Sequence, residues 1–311
     1  MFSNWFLIAL AAPLFWSFIN YIDKLLLSKY PGGKGVGSIM LFSSLFSITI
    51  LPIIGYANRN TLFNLPYFDL FLLILVGLLS ASATYFYLRA MNIEDPSIVV
   101  PLLQLIPIFA YFLGFLILGE SLTSEQILFS LLILLGIALI SIEIDTENKI
   151  KFKFKALFWV ALSSFLFALH DVLFKLVAIQ DTFWVSAFWQ YTGLTLFGIF
   201  SLFISKHARE EFYKIFTGKN WTNLGLNITS EILYILGNLA NNFATLLAPV
   251  ALVLVVASYQ PLFVFIEGVL LSIFFPKIIM EKISLKHLAQ KLISIIIIIV
   301  GSYLLYTASP H

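Results

Sequence analysis

The stretch NIEDPSIVVPLLQLIPIFAYFLG at residues 92–114 has a counterpart later in the chain, LLAPVALVLVVASYQPLFVFIEG at residues 246–268. Both stretches are long and mostly apolar, and each carries a proline well inside it. Aligned in one register, their identical pairs include Pro107 with Pro261, Phe109 with Phe263 and Gly114 with Gly268. The match indicates that one structural unit occurs twice in the chain.

A second match supports the repeat. The segment PLFWSFINYIDKLL at residues 13–26 aligns with SSFLFALHDVLFKLV at residues 163–177. The alignment pairs polar residues of the two copies: Asn20 with Asp171 and Lys24 with Lys175. The two matches have similar spacing along the chain, so we interpret them as parts of the same repeated unit.

The composition identifies the class of protein. Of the 311 residues, 60% are hydrophobic and 11% are charged, whereas soluble domains have about 25% charged residues. A membrane-spanning helix needs about 20 mostly apolar residues. We predict ten such segments: about 4–27, 36–57, 67–91, 96–118, 126–143, 156–180, 183–205, 224–247, 250–275 and 287–307.

The predicted fold is therefore an all-α integral membrane protein with ten transmembrane helices as two inverted five-helix repeats. The first unit is predicted at residues 1–145 and the second at residues 152–308. Because five is an odd number, the second unit enters the membrane from the opposite side, which inverts it about an axis in the membrane plane.

Charged loop residues predict the orientation, because Lys and Arg in short loops mark the cytoplasmic side. The opposite side has only Arg59. We predict a multi-pass protein of the cell (plasma or inner) membrane with both termini outside the cytoplasm. The basic residues lie in loops 1–2, 5–6, 7–8 and 9–10: Lys29, Lys34; Lys149, Lys151, Lys153, Lys155; Lys206, Arg209, Lys214, Lys219; and Lys277, Lys282, Lys286.

Segment eight carries polar residues on one helical face, since positions three, four and seven apart lie on the same side. The face is about 27 Å long, close to the thickness of the hydrocarbon layer. A charged residue at the centre of a membrane helix costs about 2.5–3.5 kcal/mol. We therefore expect this face to point into the bundle or a wet cavity. Its residues are Asn227, Glu231, Tyr234, Asn238, Asn242 and Thr245.

Other segments have shorter polar faces, and together they predict a polar centre. Segments five and ten lack such a face and are predicted to be packing helices; Thr123 and Gln126 predict a capping box at the start of segment five. The polar faces comprise Ser17, Asn20 and Lys24 in segment one, Gly77, Ser80 and Thr84 in three, Gln104 and Tyr111 in four, Ser164, Asp171 and Lys175 in six, and Gln260 and Glu267 in nine.

The candidate residues fall into three roles. The mid-helix prolines each free a carbonyl one turn earlier, near Leu103 and Ala257, and are candidate hinges: Pro107 and Pro261. Carboxyl groups that could exchange a proton for coupling are Glu231, Asp171 and Glu267. The predicted substrate-binding residues are Asn20, Gln104, Asp171, Glu231, Asn238, Asn242 and Gln260.

Each role has a structural alternative. Asp171 and Lys175 have the spacing of an intrahelical ion pair that would only ease insertion. Glu267 could hydrogen-bond a neighbouring helix, and the asparagines could be interhelical contacts worth about 0.6 kcal/mol each. The prolines could serve packing alone. Lys24 and Arg89 lie near helix ends, where basic side chains reach the interface.

Several classes of function are excluded by missing motifs. The chain has no cysteine, which excludes disulfide and thiolate chemistry. It has no Walker A or other Gly-rich nucleotide loop, so ATP-driven transport is not encoded here. His170 is the one histidine in the interior of a predicted segment, which argues against zinc. We predict no catalytic residues, no metal, no cofactor and no nucleic-acid partner.

One stretch carries the features of a known family: DPSIVVPLLQLIPIFAYFLGFLILGESLTSEQILFSLLILLGIALIS at residues 95–141. It has a Pro-Ser opening, Pro107 in mid-helix, a Leu-Gly-Glu sequence ending at Glu120, and Gly136. With the ten segments and inverted repeats, it resembles the EamA-type permeases of the drug/metabolite transporter superfamily. The resemblance implies a secondary transporter of small organic solutes whose cavity is lined by segments one to four and six to nine.

The sequence departs from that family pattern in two respects. The second unit has SIFFPKIIMEKISLKHL where Leu-Gly-Glu is expected, and only Glu281 could replace the acid. Family members usually have both termini inside, opposite to the orientation that the lysines predict.

We therefore predict a secondary active transporter of a small polar organic metabolite, such as an amino acid, working by alternating access, with proton coupling and exchange both open. Its partners would be the solute and membrane lipid, and the chain would act as a monomer or homodimer. The alternative is a non-transporting receptor-like protein or an intramembrane enzyme, whose helix eight would be accessible from one side only.

Overall fold

The computed structural model of the chain describes residues 4–28, 35–94, 99–100, 102–141, 154–180, 182–206, 209–210, 212–213, 221–274 and 285–308. All regular elements in these ranges are helical. They are α1 (Asn4–Ser28), α2 (Gly35–Phe46), α3 (Leu51–Ala57), α4 (Tyr67–Met91), α5 (Leu105–Leu113), α6 (Ser124–Ser141), α7 (Phe154–Ala178), α8 (Phe183–Ile204), α9 (Trp221–Leu247), α10 (Val250–Ala257), α11 (Gln260–Phe274) and α12 (Leu285–Ala308).

Each of the ten predicted segments contains helix. Segment two consists of α2 and α3, joined by a 3₁₀ turn at Ser47–Thr49. Segment four ends with α5 and a π-helical turn at Gly114–Leu118. Segment nine consists of α10 and α11. The prediction of an all-helical chain is confirmed for the described residues; the Pro-Ser opening of the 95–141 stretch and Glu281 lie outside them.

Six helical stretches of the described chain are long and apolar enough to cross a membrane: Trp5–Leu27, Val36–Ala57, Tyr67–Met91, Lys155–Ala178, Phe183–Ile204 and Val250–Leu270. Three shorter apolar helices also occur, at Leu105–Leu118, Ser124–Leu139 and Leu292–Ala308. Helix α9 is absent from both sets, because its glutamate and asparagines lower its hydropathy. The same polar residues make α9 a candidate wall of the site and make it less apolar than the helices named above.

The helices are packed in a few extensive pairs. Helix α1 lies along α9, α4 lies along both α7 and α8, and α6 lies along α12. A large apolar core joins α1, α2, α4, α7 and α8 around the fully buried side chains of Leu88, Met91 and Tyr191. These pairs surround the middle of the molecule, where the polar residues of several helices meet.

Helices α4 and α8 are in direct backbone contact because each has a glycine at the crossing. A Cβ atom on Gly77 would overlap the backbone of Gln190, and a Cβ on Gly193 would overlap the backbone of Ile74. Small residues allow such close approach between membrane helices, where dispersion contacts replace the hydrophobic effect as the driving force. The α4–α8 contact therefore depends on two positions without a side chain.

Helices α6 and α12 form a pair with reciprocal contacts. Gly136 of α6 lies against Ile298, and Gly301 of α12 lies against Ile133. Their outer faces expose large apolar side chains suited to lipid: Leu128, Leu131 and Leu135 on α6, and Ile293, Ile296 and Ile299 on α12.

The predicted capping box opens α6. The Thr123 backbone N–H donates to Gln126 Oε1 at 3.0 Å, and the Gln126 N–H donates to Thr123 Oγ1 at 3.2 Å. Two of the unpaired donors at the helix start are satisfied in this way. The local prediction is confirmed.

Two helix breaks lie next to the mid-segment prolines. Helix α5 begins at Leu105 after a turn at residues 103–104, and the turn at residues 258–259 separates α10 from α11. Pro107 and Pro261 follow these turns, as expected from the loss of one amide donor each. Gln104 Nε2 donates to the Ser258 carbonyl at 3.4 Å, so the two breaks meet inside the bundle.

Candidate functional site

A cavity of about 150 Å³ lies in the middle of the bundle. Its lining side chains come from α1, α4, α7, α9 and the two broken segments around α5, α10 and α11. None of its lining residues belongs to α6 or α12 in the described chain. The cavity therefore lies where the sequence predicts a polar centre.

The predicted binding residues occupy different places around this cavity. Five of them line it: Asn20, Gln104, Asp171, Asn238 and Gln260. Glu231 lines a neighbouring cavity of about 40 Å³. Asn242 is fully buried and donates from Nδ2 to Gln190 Oε1 at 2.7 Å.

The polar face of α9 points inward, as its helical spacing predicts. Asn227, Glu231, Asn238, Asn242 and Thr245 are all buried. Space for this face is provided partly by the helix itself: Gly237 leaves room for the Trp16 indole of α1, which a Cβ atom would overlap.

The wall formed by α1 contains a residue that the sequence interpretation missed. Asp23 lines both cavities, its exposed fraction is 7%, and it makes no hydrogen bond or ion pair within the described chain. Asp23 is three residues after Asn20, which places it on the same helical face. The polar face predicted for this segment continued instead to Lys24, four residues after Asn20, and the structure does not describe the Lys24 side chain. Asp23 is a buried carboxyl group in contact with cavity space.

Asn20 lies one turn before Asp23, and one of the two polar atoms of its side-chain amide is hydrogen-bonded. Tyr87 Oη donates to Asn20 Oδ1 at 2.9 Å. The other amide atom, Asn20 Nδ2, is buried and has no hydrogen-bond partner, and the same holds for Asn238 Nδ2. Buried amide donors are normally paired, so these two N–H groups are available to an acceptor in the cavity.

A chain of polar contacts runs behind the α7 wall. Gln190 receives a hydrogen bond from Asn242 on Oε1, and its Nε2 lies 2.9 Å from His170 Nε2. This contact between the two nitrogens links α8 to α7, and the His170 tautomer sets which of them donates. Gln190 was not predicted, because nothing in its apolar surroundings in α8 indicates a partner.

Asp171 is held by neighbours on two sides. Asn241 Nδ2 donates to Asp171 Oδ1 at 2.9 Å, and His170 Nδ1 lies 3.3 Å from the same oxygen. These contacts fix the carboxyl group at the cavity wall while leaving it without a Lys or Arg partner in the described chain.

Lys175 does not form the intrahelical pair with Asp171 that their spacing suggests. Its Nζ lies 2.5 Å from Glu120 Oε1 and donates to the Ala248 carbonyl at 2.7 Å. The second Glu120 oxygen accepts from the Val250 N–H at 2.8 Å. Lys175 therefore has two acceptors, Glu120 after segment four and the Ala248 carbonyl in the turn between α9 and α10.

The Leu-Gly-Glu sequence of segment four places that glutamate. Gly119 has a φ of 68°, a left-handed conformation that costs glycine little and ends the helix. The Glu120 N–H then donates to the Gly114 carbonyl at 3.1 Å. The motif therefore turns the chain so that Glu120 reaches Lys175 on α7.

The two remaining predicted carboxyl groups bind serine hydroxyls. Ser43 Oγ donates to Glu231 Oε2 at 2.8 Å, across the α2–α9 contact. Ser17 Oγ donates to Glu267 Oε1 at 2.5 Å, the interhelical alternative considered for that residue. Glu267 lines neither cavity, whereas Glu231 lines the smaller one beside Asp23.

The hinge candidates differ in position. Pro261 lines the large cavity, and Pro107 is buried within α5. Within the described residues, no group of three or more His, Asp or Glu side chains could hold a metal ion. The arrangement offers carboxyl and amide groups around a small cavity, which suits reversible binding of a polar solute.

Comparisons with known proteins agree with this architecture. One solved crystal structure is similar to this chain, with a TM-score of 0.67 and 14% sequence identity. The match covers 98% of this chain and 96% of that chain. No curated protein matches the sequence. Residues 3–142 match the model of the EamA-like transporter family. The resemblance predicted from the sequence is confirmed: the chain is a multi-pass membrane protein with an EamA-like unit of the drug/metabolite transporter superfamily at residues 3–142.

Proposed function

We propose that the chain is a secondary active transporter that moves a small polar organic solute, such as an amino acid or related metabolite, across the membrane by alternating access. The observation that carries the proposal is the central cavity with unpaired polar groups on its walls. Unpaired polar groups inside a membrane protein are costly unless a ligand or water satisfies them.

The inverted repeat is supported by two hydrogen bonds that become equivalent in the predicted register. Asn20 aligns with Asp171, and the register that pairs Pro107 with Pro261 also pairs Tyr87 with Asn241. Tyr87 binds Asn20, and Asn241 binds Asp171, each at 2.9 Å. One contact thus recurs in both halves.

Contacts between aligned residues support the same symmetry. Ser80 and Tyr234 align in that register, and their hydroxyl oxygens are 2.7 Å apart. Gln104 and Ser258 also align, and they share a hydrogen bond. Aligned residues touch each other when both lie on the two-fold axis that relates two halves. The axis would then pass through the central cavity.

The proposed units are residues 1–145 and 152–308. The family match at residues 3–142 has nearly the bounds of the first unit. The pairing of α1 with α9 and of α4 with α7 also fits, because α1 corresponds to α7 and α4 to α9 in the proposed repeat.

In this proposal the solute contacts Asn20, Gln104, Asp171, Asn238 and Gln260. Rocking of the two units about the breaks near Pro107 and Pro261 exposes the cavity to each side in turn. Asn242 fixes Gln190 behind the wall. Glu231, in the adjoining cavity, Asp171 and Glu267 are the proposed coupling groups.

The test is counterflow in proteoliposomes loaded with a solute that raises the melting temperature of the purified protein. Asn238→Leu and Glu231→Gln should abolish counterflow, whereas the exposed control Glu125→Gln should retain it. Transport unchanged by both cavity variants would overturn the site, and failure of every stabilising solute to exchange would favour a non-transporting binder.

A further inference from the structure

We propose that the transported solute is a small organic cation whose ammonium group binds the carboxylate of Asp23. The proposal rests on the transport function argued above and specifies the chemical class of its substrate. It starts from the one acidic side chain that lines both cavities and has no hydrogen-bond or ion-pair partner within the described chain.

The sign of the charge around the cavity favours a cation. Asp23 and Asp171 both line it, and none of its described lining residues is Lys or Arg. Lys175, on the Asp171 helix, is neutralised by Glu120 at 2.5 Å. A buried carboxylate without a cation is strongly disfavoured, so an entering ammonium group would stabilise the wall.

The aromatic residues at the cavity are suited to the same ligand. Trp16, Tyr87, Phe167 and Tyr234 line it, together with the carboxyl groups. Aromatic faces attract cations within about 6 Å through the ring quadrupole. Acidic and aromatic side chains around one volume form a typical binding site for organic ammonium groups.

The remaining orphan groups limit the rest of the ligand. Asn20 Nδ2 and Asn238 Nδ2 are unpaired donors, which suit a neutral oxygen acceptor on the solute. A carboxylate would bring a negative charge close to Asp171 with no cation to balance it. A cavity of about 150 Å³ holds a ligand the size of benzene, so the expected solute is a monoamine whose apolar part is about the size of a benzene ring.

The experiment compares three probes that differ in one charged group: 2-phenylethylamine, phenylalanine and 2-phenylethanol. Binding to the purified full-length chain is measured by the concentration-dependent rise in melting temperature. The amine should bind at least tenfold more tightly than the zwitterion or the alcohol. Asp23→Asn should weaken amine binding about ten- to hundred-fold, Asp23→Glu should retain part of it, and the exposed Glu125→Gln should leave it unchanged.

Three results would overturn the substrate class: no stabilisation by the amine, equal binding of all three probes, or an unchanged amine affinity in a folded Asp23→Asn protein. The melting temperature of each variant without ligand reports whether it is folded. A solute of another class whose counterflow is lost in Asn238→Leu would refute the cation proposal and leave transport standing. Absence of counterflow for every stabilising solute, including a bound amine, would refute transport itself.

Discussion

The α4–α8 contact and the α2–α9 contact occupy corresponding places in the two proposed units, yet they are built differently. In the alignment that pairs Pro107 with Pro261, Gly77 of α4 is the residue equivalent to Glu231 of α9. Gly77 brings α4 and α8 into backbone contact. Glu231 instead needs a hydroxyl partner, Ser43, and lines a small cavity.

The two contacts also lie toward opposite ends of the bundle. Gly77 is about 15 Å along α4 from its start after the loop between segments two and three. Ser43 is about 12 Å along α2 from the lysine-containing loop between segments one and two. In the proposed pathway, glycines in direct contact would border one side and a polar pair the other. The exchange of glycine for glutamate replaces a backbone contact with a polar pair beside a small cavity.

The largest expected effect comes from breaking the backbone contact between α4 and α8 at Gly77. Gly77→Leu would place a side chain into the backbone of Gln190 and Leu194. Overpacking of a dense interior costs about 1–3 kcal/mol and occasionally more, and the rigid backbone neighbours put this case at the upper end. The melting temperature should fall by about 2–4 °C for each kcal/mol.

Gly225→Leu is the matched control, because a Cβ atom at Gly225 meets nothing within 4 Å. Leucine is also the better helix former, so this variant should be neutral or slightly stabilising. Equal melting temperatures for the two leucine variants would contradict a glycine-dependent α4–α8 contact.

A smaller effect is expected from the hydrogen bond between Ser43 and Glu231. Ser43→Ala removes the hydroxyl that donates to the buried Glu231, and a typical intramolecular hydrogen bond contributes about 0.5–1.5 kcal/mol. The double variant with Glu231→Gln should lose less than the sum of the single variants, as a double-mutant cycle measures. Ser82→Ala, whose hydroxyl binds only its own helix, is the control; strict additivity would show that Ser43 and Glu231 do not interact.

The smallest predicted effect compares the two equivalent hydrogen bonds. Asn241→Ala removes a donor to the Asp171 carboxyl group, and Tyr87→Phe removes a donor to the neutral Asn20 amide. Hydrogen bonds to charged groups contribute about 1 kcal/mol more than neutral ones. Thermal unfolding should therefore rank Asn241→Ala as the more destabilising variant, with the exposed Tyr303→Phe near zero; the reverse order would contradict this ranking.

Much of the fold follows from local sequence signals. Hydrophobic length gave the helical segments, Pro107 and Pro261 gave the positions of the two breaks, and Thr123 with Gln126 gave the start of α6. Helical spacing gave the inward face of α9. These features depend on residues within a few turns of one another, and periodicity records such relations directly.

The partners of the site residues could not be predicted in the same way. Lys175 pairs with Glu120 rather than with Asp171, and Gln190 joins Asn242 to His170. These contacts join distant positions, and their choice depends on how the helices pack. Asp23 was missed for a different reason, since helical spacing allowed the polar face of α1 to continue through either Asp23 or Lys24.

The most direct test of alternating access is the labelling of single cysteines with a membrane-impermeant thiol reagent added to one side of oriented vesicles. The chain has no native cysteine. Ser43→Cys in the α2–α9 contact and Leu194→Cys in the α4–α8 contact therefore report one position each. Labelling of Ser43→Cys from one side and of Leu194→Cys from the opposite side is the predicted result. Labelling of both from the same side, with none from the other, would contradict a pathway that opens in turn at two ends.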